Sequence, residues 1–154
     1  MSFEIVPYRE ANAADFYTLN IEWLKTHFYV EPYDEEVLSH PNKYIIEKGG
    51  HIFFAILDDI VVGTVALMPI FDEGTFELTK MAVSPNYRGQ NIGQQLMRFS
   101  LEFAKSNAFK RLLLYSSRTL ENAIYIYRKF GFIEIPVEPD CPYERCDIKM
   151  EFPL

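Results

Sequence analysis

Cysteine and histidine are scarce in this chain of 154 residues, which has 2 cysteines and 3 histidines. Cys141 and Cys146 are separated by four residues, and no histidine lies near them in the sequence. This spacing indicates neither a zinc site nor the framework of a small disulfide-rich domain. We therefore expect two free thiols and no bound metal.

Clustered positive charge is also missing. Lysine and arginine number 15 against 22 aspartates and glutamates, so the formal net charge is -7. Binding to DNA or RNA relies on clustered cations that face the phosphates, and the composition therefore predicts no nucleic-acid partner. The negative charge suits a cationic partner, or it serves solubility alone.

Long apolar runs are absent, and the first ten residues, MSFEIVPYRE, lack the apolar core of a signal peptide. These absences predict a cytoplasmic protein that makes no membrane contact. The chain also lacks repeats, low-complexity tracts and Gly/Ser-rich linkers, which favours a single domain over residues 1–154. With 49% hydrophobic residues, it has ample material for a packed core.

The spacing of apolar residues predicts alternating strands and helices. In chain order these are a strand at 3–8, a helix at 13–25, a partly helical segment at 26–38, strands at 51–57, 60–68 and 75–83, a helix at 91–106, a strand at 111–115, a helix at 119–130, and strands at 132–135 and 146–152. The two strands at 51–68 read as a hairpin. This order favours an α/β (α+β) fold, with a mixed, mainly antiparallel sheet flanked by helices.

The segment from Val83 to Gln94, VSPNYRGQNIGQ, joins a predicted strand to a predicted helix. Unpaired backbone N–H groups and the positive end of a helix dipole coincide at such a junction, so it is suited to hold an anion. The same composition also serves simply to turn the chain. The segment is not a Walker loop or a dinucleotide fingerprint, because it lacks the Lys-Ser/Thr ending and the triple-glycine spacing.

A second motif, ENAIYIYRKFGF at Glu121–Phe132, leads to a family resemblance. It is similar to the pattern A-I-x-L-Y-x-K-x-G-F of the GNAT superfamily, the acyl-CoA-dependent N-acetyltransferases. The earlier loop resembles the superfamily's R/Q-x-x-G-x-G/A motif, with Arg88, Asn91 and Gly93 at the three marked positions. Asn91 departs from the pattern, but asparagine tolerates left-handed backbone angles, so we expect the loop to keep its shape. Two motifs in the right order at the right separation carry the resemblance, which extends from about Phe3 to Phe152.

The resemblance implies a GNAT-like sheet that is splayed to admit acetyl-CoA as cosubstrate, without a metal. The pyrophosphate would lie on the amides of the loop, and the pantetheine arm would pair with the end of the strand before it. Asn122 would hydrogen-bond the pantetheine, or it would instead help its helix to start. The implied cofactor-binding residues are Met81, Ala82, Val83, Arg88, Gly89, Gln90, Asn91, Ile92, Gly93, Gln94 and Asn122.

Two residues are candidates for proton transfer, because the attacking amine must lose a proton and the departing thiolate must gain one. Glu77 matches a position where relatives place their general base, acting directly or through water; the alternative is a solvent-facing strand residue. Tyr127 is the implied general acid. Its alternative role is packing against Leu120, Ala123 and Ile124 on the same helix.

The acceptor is expected near the first helix and the aromatic segment that follows it. The candidate residues there are Trp23, Phe28, Tyr29, Glu31 and Tyr33. Aromatic rings with carboxylates among them suit a cation with an apolar body, so cationic amines are expected to outcompete anionic amino acids. Alternatively, these residues are ordinary core and surface positions.

The predicted function is transfer of an acetyl group from acetyl-CoA to the primary amine of a small molecule, by direct attack in a ternary complex. One alternative is a protein acetyltransferase that acts on a lysine or an N-terminus. Another is a non-catalytic CoA-binding regulatory module. The strands expected at the surface are compatible with a homodimer.

Overall fold

A central sheet organises the part of the chain that is described. The computed structural model describes residues 2–141 and 143–154. The strands are β1 Phe3–Pro7, β2 His51–Leu57, β3 Ile60–Pro69, β4 Thr75–Val83, β5 Arg111–Ser116, β6 Ile133–Ile135 and β7 Ile148–Phe152. Their order is β1-β2-β3-β4-β5-β7-β6, and within it only the pair β4 and β5 is parallel. The predicted fold class, a mixed and mainly antiparallel sheet flanked by helices, is confirmed.

Four α-helices flank this sheet in the described residues: α1 Ala13–His27, α2 Pro32–Ser39, α3 Ile92–Ser106 and α4 Glu121–Phe130. At the start of α2, the Asp34 carboxylate accepts a hydrogen bond of 2.9 Å from the Glu31 backbone N–H. At the end of α4, Gly131 adopts a left-handed conformation with φ 110°, as the sequence predicts. None of the described helices is both long enough and apolar enough to cross a bilayer.

The sheet is covered on both faces. On one face α3 packs Leu96, Met97 and Leu101 against inward-facing strand residues. On the other face α1 and α2 contribute Phe16 and Val37 to a second core. Strand β2 sends alternate side chains into the two cores, which explains why its sequence, HIFFAIL, is apolar almost throughout.

Strand β4 contains a β-bulge. Thr64 of β3 lies opposite Ala82, whereas Ala66 lies opposite Thr79, so β4 has one residue more than β3 over this stretch. Lys80, in the bulge, has a positive φ of 56°. A bulge of this kind shifts the alternation of side chains between the two faces of a sheet.

The side chains of β4 show this shift. Before the bulge, Phe76 and Leu78 pack into the core on the α3 face, and after it Met81 and Val83 do so. The residues of β4 that face the α3 side therefore change from even to odd numbers at the bulge. As a result Glu77 and Lys80, three positions apart, both lie on the α1 face, where an unbroken strand would place them on opposite faces.

The sheet opens between β4 and β5. Their pairing runs only from Thr75–Glu77 opposite Arg111–Leu113. Beyond Glu77 the described residues of β4 pair with β3 but no longer with β5. The splayed sheet implied by the family resemblance is therefore present in the fold.

The two cysteines form a disulfide, so the expectation of free thiols is wrong. Cys141 and Cys146 have Cα atoms 6.4 Å apart. A turn, in which the Cys146 backbone N–H bonds the Tyr143 carbonyl oxygen at 3.2 Å, folds the connection between β6 and β7 back on itself. Sequence spacing alone does not reveal such a turn. The cross-linked loop carries Tyr143 and Arg145 to the opening of the sheet.

Candidate functional site

One cavity, of about 400 Å³, lies between the end of β4, the loop that follows it, and α4. We call it the loop cavity. Ten of the eleven residues that the resemblance implies for cofactor binding line it, and only Gln90 does not. The residues brought together are Met81, Ala82, Val83, Arg88, Gly89, Asn91, Ile92, Gly93, Gln94 and Asn122.

The loop presents the start of α3 to this cavity. Asn91 takes the left-handed conformation, with φ 62° and ψ 17°, immediately before the first helical residue. The asparagine therefore keeps the loop shape that the sequence analysis expects at this departure from the motif. N–H groups in the first turn of a helix have no acceptor within the helix. The N–H groups of Ile92, Gly93 and Gln94 belong to residues that line the cavity. Groups of this kind can bind an anion, and anion binding here stays a prediction.

Two further loop residues shape the mouth of the loop cavity. The Nη2 atom of Arg88 lies 2.6 Å from a carboxylate oxygen of Glu22 on α1, and its Nε donates to the Val83 carbonyl at 3.1 Å. This ion pair is partly exposed, so it contributes little to stability. At Gly93 a Cβ atom would come no closer than 3.8 Å to Val83, so a methyl group fits there without a clash.

A second cavity, of about 120 Å³, lies where β4 and β5 part. We call it the sheet cavity. Its walls are Glu77–Met81 of β4 and Leu114–Ser117 at the end of β5, and α1 and the cross-linked loop add further side chains to its lining. Three residues, Trp23, Met81 and Tyr127, line both cavities. The two cavities therefore meet at this shared rim.

The five acceptor candidates are divided by the structure. Trp23 and Phe28 line the sheet cavity. The other three lie outside both cavities: Tyr29 hydrogen-bonds the Glu144 carboxylate, Glu31 accepts from Arg145, and the Tyr33 ring lies 5.6 Å from that of Tyr143. A role for these three in acceptor binding stays a prediction.

A buried ion pair supports the sheet cavity. Asp34 is fully buried, and Arg145 holds it with two hydrogen bonds of 2.8 and 3.0 Å. A third bond of 3.1 Å joins Arg145 to Glu31, and the guanidinium carbon lies 4.1 Å from the Tyr143 ring centre. This cluster could not be predicted from the sequence, because Arg145 lies 111 residues from Asp34 in the chain.

Glu77 and Lys80 bring opposite charges into the sheet cavity. Burial raises the pKa of Glu77, and the nearby Lys80 charge and a hydrogen bond from Thr79 oppose this shift in part. Burial lowers the pKa of Lys80, against the attraction of Glu77 and Asp34. The carboxyl group of Glu77 therefore keeps its proton to a higher pH than an ordinary glutamate, which brings its basicity closer to what a general base at neutral pH requires.

Tyr127 lies on the shared rim. Burial raises its pKa, and a hydrogen bond with the Ser116 side chain opposes the shift. The phenol is therefore protonated at neutral pH and is able to donate. Its ring also packs on the α3-side core and lies 6.1 Å from that of Phe132. The general-acid role of Tyr127 stays a prediction.

Comparison with known sequences identifies one family. The sequence profile described as the Acetyltransferase (GNAT) family matches residues 14–132. A putative ribosomal protein bS18-alanine N-acetyltransferase of Bacillus subtilis is 31% identical over 111 residues, which cover 71% of this chain and 63% of that protein. An N-acetylaspartate synthetase of Xenopus tropicalis is 33% identical over 101 residues, covering 65% of this chain and 37% of that protein. The alignments thus span less than two thirds of these relatives' own lengths.

Comparison with solved structures gives the same fold. A GNAT-family acetyltransferase from Staphylococcus aureus superposes with a TM-score of 0.84 at 20% identity, over 98% of both chains. The PaiA N-acetyltransferase of Thermoplasma acidophilum, solved in complex with coenzyme A, superposes with a TM-score of 0.75 at 19% identity, over 99% of both chains. At these identities the likeness establishes the architecture and no more.

The Asp34–Arg145 pair leads to a stability prediction. In Arg145→Met the fully buried Asp34 carboxylate loses its two strongest bonds, and we expect the free energy of unfolding to fall by about 3 kcal/mol. Urea denaturation measures this change. The matched control is Arg118→Met, which removes an exposed pair with Glu134 and should cost less than about 1 kcal/mol. Equal small losses in both variants would show that the buried pair does not stabilise the fold.

Proposed function

Because the chain belongs to the Acetyltransferase (GNAT) family, we propose that it transfers the acetyl group of acetyl-CoA to the primary amine of a small molecule. The observation that carries this proposal is the meeting of the two cavities at Trp23, Met81 and Tyr127. A cofactor in the loop cavity and an amine in the sheet cavity would contact each other at this rim. Such an arrangement supports direct attack in a ternary complex.

The loop cavity has the chemistry that acetyl-CoA needs. The diphosphate would accept hydrogen bonds from the N–H groups at the start of α3, where the helix dipole favours negative charge. Arg88 would add a positive charge once it leaves Glu22. The pantetheine arm would lie along Met81–Val83, on the edge of β4 that no longer pairs with β5. Asn122, in the first turn of α4, lines the same cavity and is our candidate for a further pantetheine contact.

The chemistry of the transfer requires two proton movements. The amine nitrogen attacks the thioester carbonyl carbon, the new C–N bond forms, and the C–S bond then breaks. Glu77 would take the proton that the amine loses, directly or through water, and Tyr127 would give its phenolic proton to the departing thiolate. Both cysteines of the chain are paired with each other, so neither is free to carry the acetyl group in a two-step route.

The small size of the sheet cavity, about 120 Å³, favours a small acceptor. A protein N-terminus is the second candidate, because the Bacillus subtilis relative is named for a ribosomal-protein alanine. A regulatory module that binds coenzyme A without turnover is the third. The presence of both Glu77 and Tyr127 on the cavity walls supports an enzyme over such a module.

Turnover tests the proposal, and Tyr127→Phe tests its chemistry. We expect the wild type to release thiol from acetyl-CoA in a panel of small primary amines. Tyr127→Phe removes one hydroxyl and keeps the apolar volume, so stability should hardly change. If the phenol protonates the thiolate, kcat should fall by roughly 100-fold with acetyl-CoA affinity nearly unchanged. A thiol-release assay with the best amine measures this.

Two results would count against the proposal. No thiol release with any amine, while acetyl-CoA still binds, would favour the regulatory module. Turnover by Tyr127→Phe within about twofold of the wild type across neutral pH would show that Tyr127 only packs the core.

Gly93 provides a separate test of the loop cavity. Gly93→Glu would put a side chain and a negative charge where the diphosphate is expected, so binding of coenzyme A should be lost in a folded protein. Gly93→Ala is the matched control, because a Cβ atom fits at this position, and it should retain most of the affinity. Calorimetric titration with coenzyme A distinguishes the two. Unchanged affinity in a folded Gly93→Glu variant would remove the loop from the cofactor site.

A further inference from the structure

Lys80 is a partly buried cation for which the acetyl-transfer steps have no use. Its Nζ atom donates one hydrogen bond, of 2.6 Å, to the Tyr143 hydroxyl. Within residues 2–141 and 143–154 it forms no ion pair with a carboxylate. An ammonium group carries three N–H donors, and a buried charge is costly unless it is paired and hydrogen-bonded. The lysine therefore keeps donors for a partner inside the sheet cavity.

The other charges of the sheet cavity define that partner. Asp34 and Glu31 both accept hydrogen bonds from Arg145, so the guanidinium already has two carboxylate partners. Glu77 and Lys80 remain, on the same face of β4 because of the bulge, and they do not form an ion pair with each other. The cavity thus presents one carboxyl group and one ammonium group separately. A ligand with an amine and a carboxylate complements both groups at once.

The remaining walls include a group of apolar side chains. Trp23, Phe28 and several leucines, among them Leu24, Leu114 and Leu120, line the same cavity. An apolar side chain on the ligand would bury its surface against them.

We propose that Lys80 selects the acceptor by binding the carboxylate of a small amino acid with an apolar side chain, whose amine lies beside Glu77. This inference rests on the proposed function, since it names the acceptor for the same site. It reverses the preference for cationic amines that the aromatic and acidic segment at 23–33 predicts. Lys80 and Glu77 then divide the recognition between them, one at each end of the amino acid backbone.

The experiment compares amino acids with their own amides. Thiol release from acetyl-CoA is measured with L-leucine, L-methionine and L-valine, with the three corresponding amides, and with 3-methylbutylamine, which is leucine without its carboxylate. The wild type should use the acids better than the amides by roughly 10- to 100-fold in kcat/KM, the range expected for a hydrogen-bonded charge pair. The difference should lie mainly in KM, because the carboxylate takes no part in bond making and its contact with Lys80 is the same in the bound substrate and in the transition state.

Variants of Lys80 identify the residue responsible. In Lys80→Met the ratio of kcat/KM for acids to kcat/KM for amides should fall to about one, because any change in the basicity of Glu77 affects both series alike. Lys80→Arg keeps the positive charge and should restore part of the preference. Lys48→Met is the matched control, because Lys48 is exposed and lines neither cavity, and it should behave as the wild type. Circular dichroism and acetyl-CoA titration verify that each variant folds, and Lys80→Gln replaces Lys80→Met if the latter does not.

The outcomes separate this inference from the proposed function. Turnover of amines with no preference for acids, or an equal loss on acids and amides in Lys80→Met, overturns the role of Lys80 and leaves the acetyltransferase proposal standing. A preference for peptides with a free N-terminus over every amino acid also overturns it, in favour of a protein acceptor. Absence of turnover with all amines, while acetyl-CoA binds, overturns the proposed function itself.

Discussion

The pairing between β4 and β5 ends early, and the opening that results determines where both cavities lie. After three paired residues the strands part, and among residues 2–141 and 143–154 no strand pairs with β4 beyond Glu77 on that side. Unpaired backbone groups inside a protein need partners, so a sheet that opens in this way must be covered or filled. In this chain α1, α4 and the cross-linked loop between β6 and β7 surround the opening. They leave two cavities that meet at one rim.

The bulge at Lys80 gives the opening its chemistry. A regular strand would turn Glu77 and Lys80 to opposite faces, one into the α3-side core and one toward α1. The extra residue brings both to the α1 face, beside the buried Asp34–Arg145 pair. This one irregularity of the backbone therefore places an acidic and a basic side chain of β4 in the same small cavity. We regard Glu77 and Lys80 together as the feature that distinguishes the site from a simple apolar cleft.

Much of this fold could be predicted from the sequence, because its signals are local. The alternation in β2, the left-handed position of Asn91 and the stop at Gly131 follow from residue types and short spacing. The cofactor loop and Tyr127 were recognisable because each belongs to a contiguous motif. The Arg145–Asp34 pair could not be recognised in this way, because its partners are separated by 111 residues. The disulfide and the bulge could not be predicted for a related reason. The disulfide depends on a turn of the chain and the bulge on a change of register between two strands, and neither leaves a pattern in the residues.

We propose that the two cavities form one active site. A crystal structure with coenzyme A bound would test this. We expect the diphosphate to lie on the N–H groups of Ile92–Gln94, the pantetheine beside Met81–Val83, and the thiol at the rim between Met81 and Tyr127. From there the sulfur would face Glu77 and Lys80 across the sheet cavity. A coenzyme A molecule bound elsewhere, or bound in the loop with its thiol directed away from Tyr127, would contradict the claim.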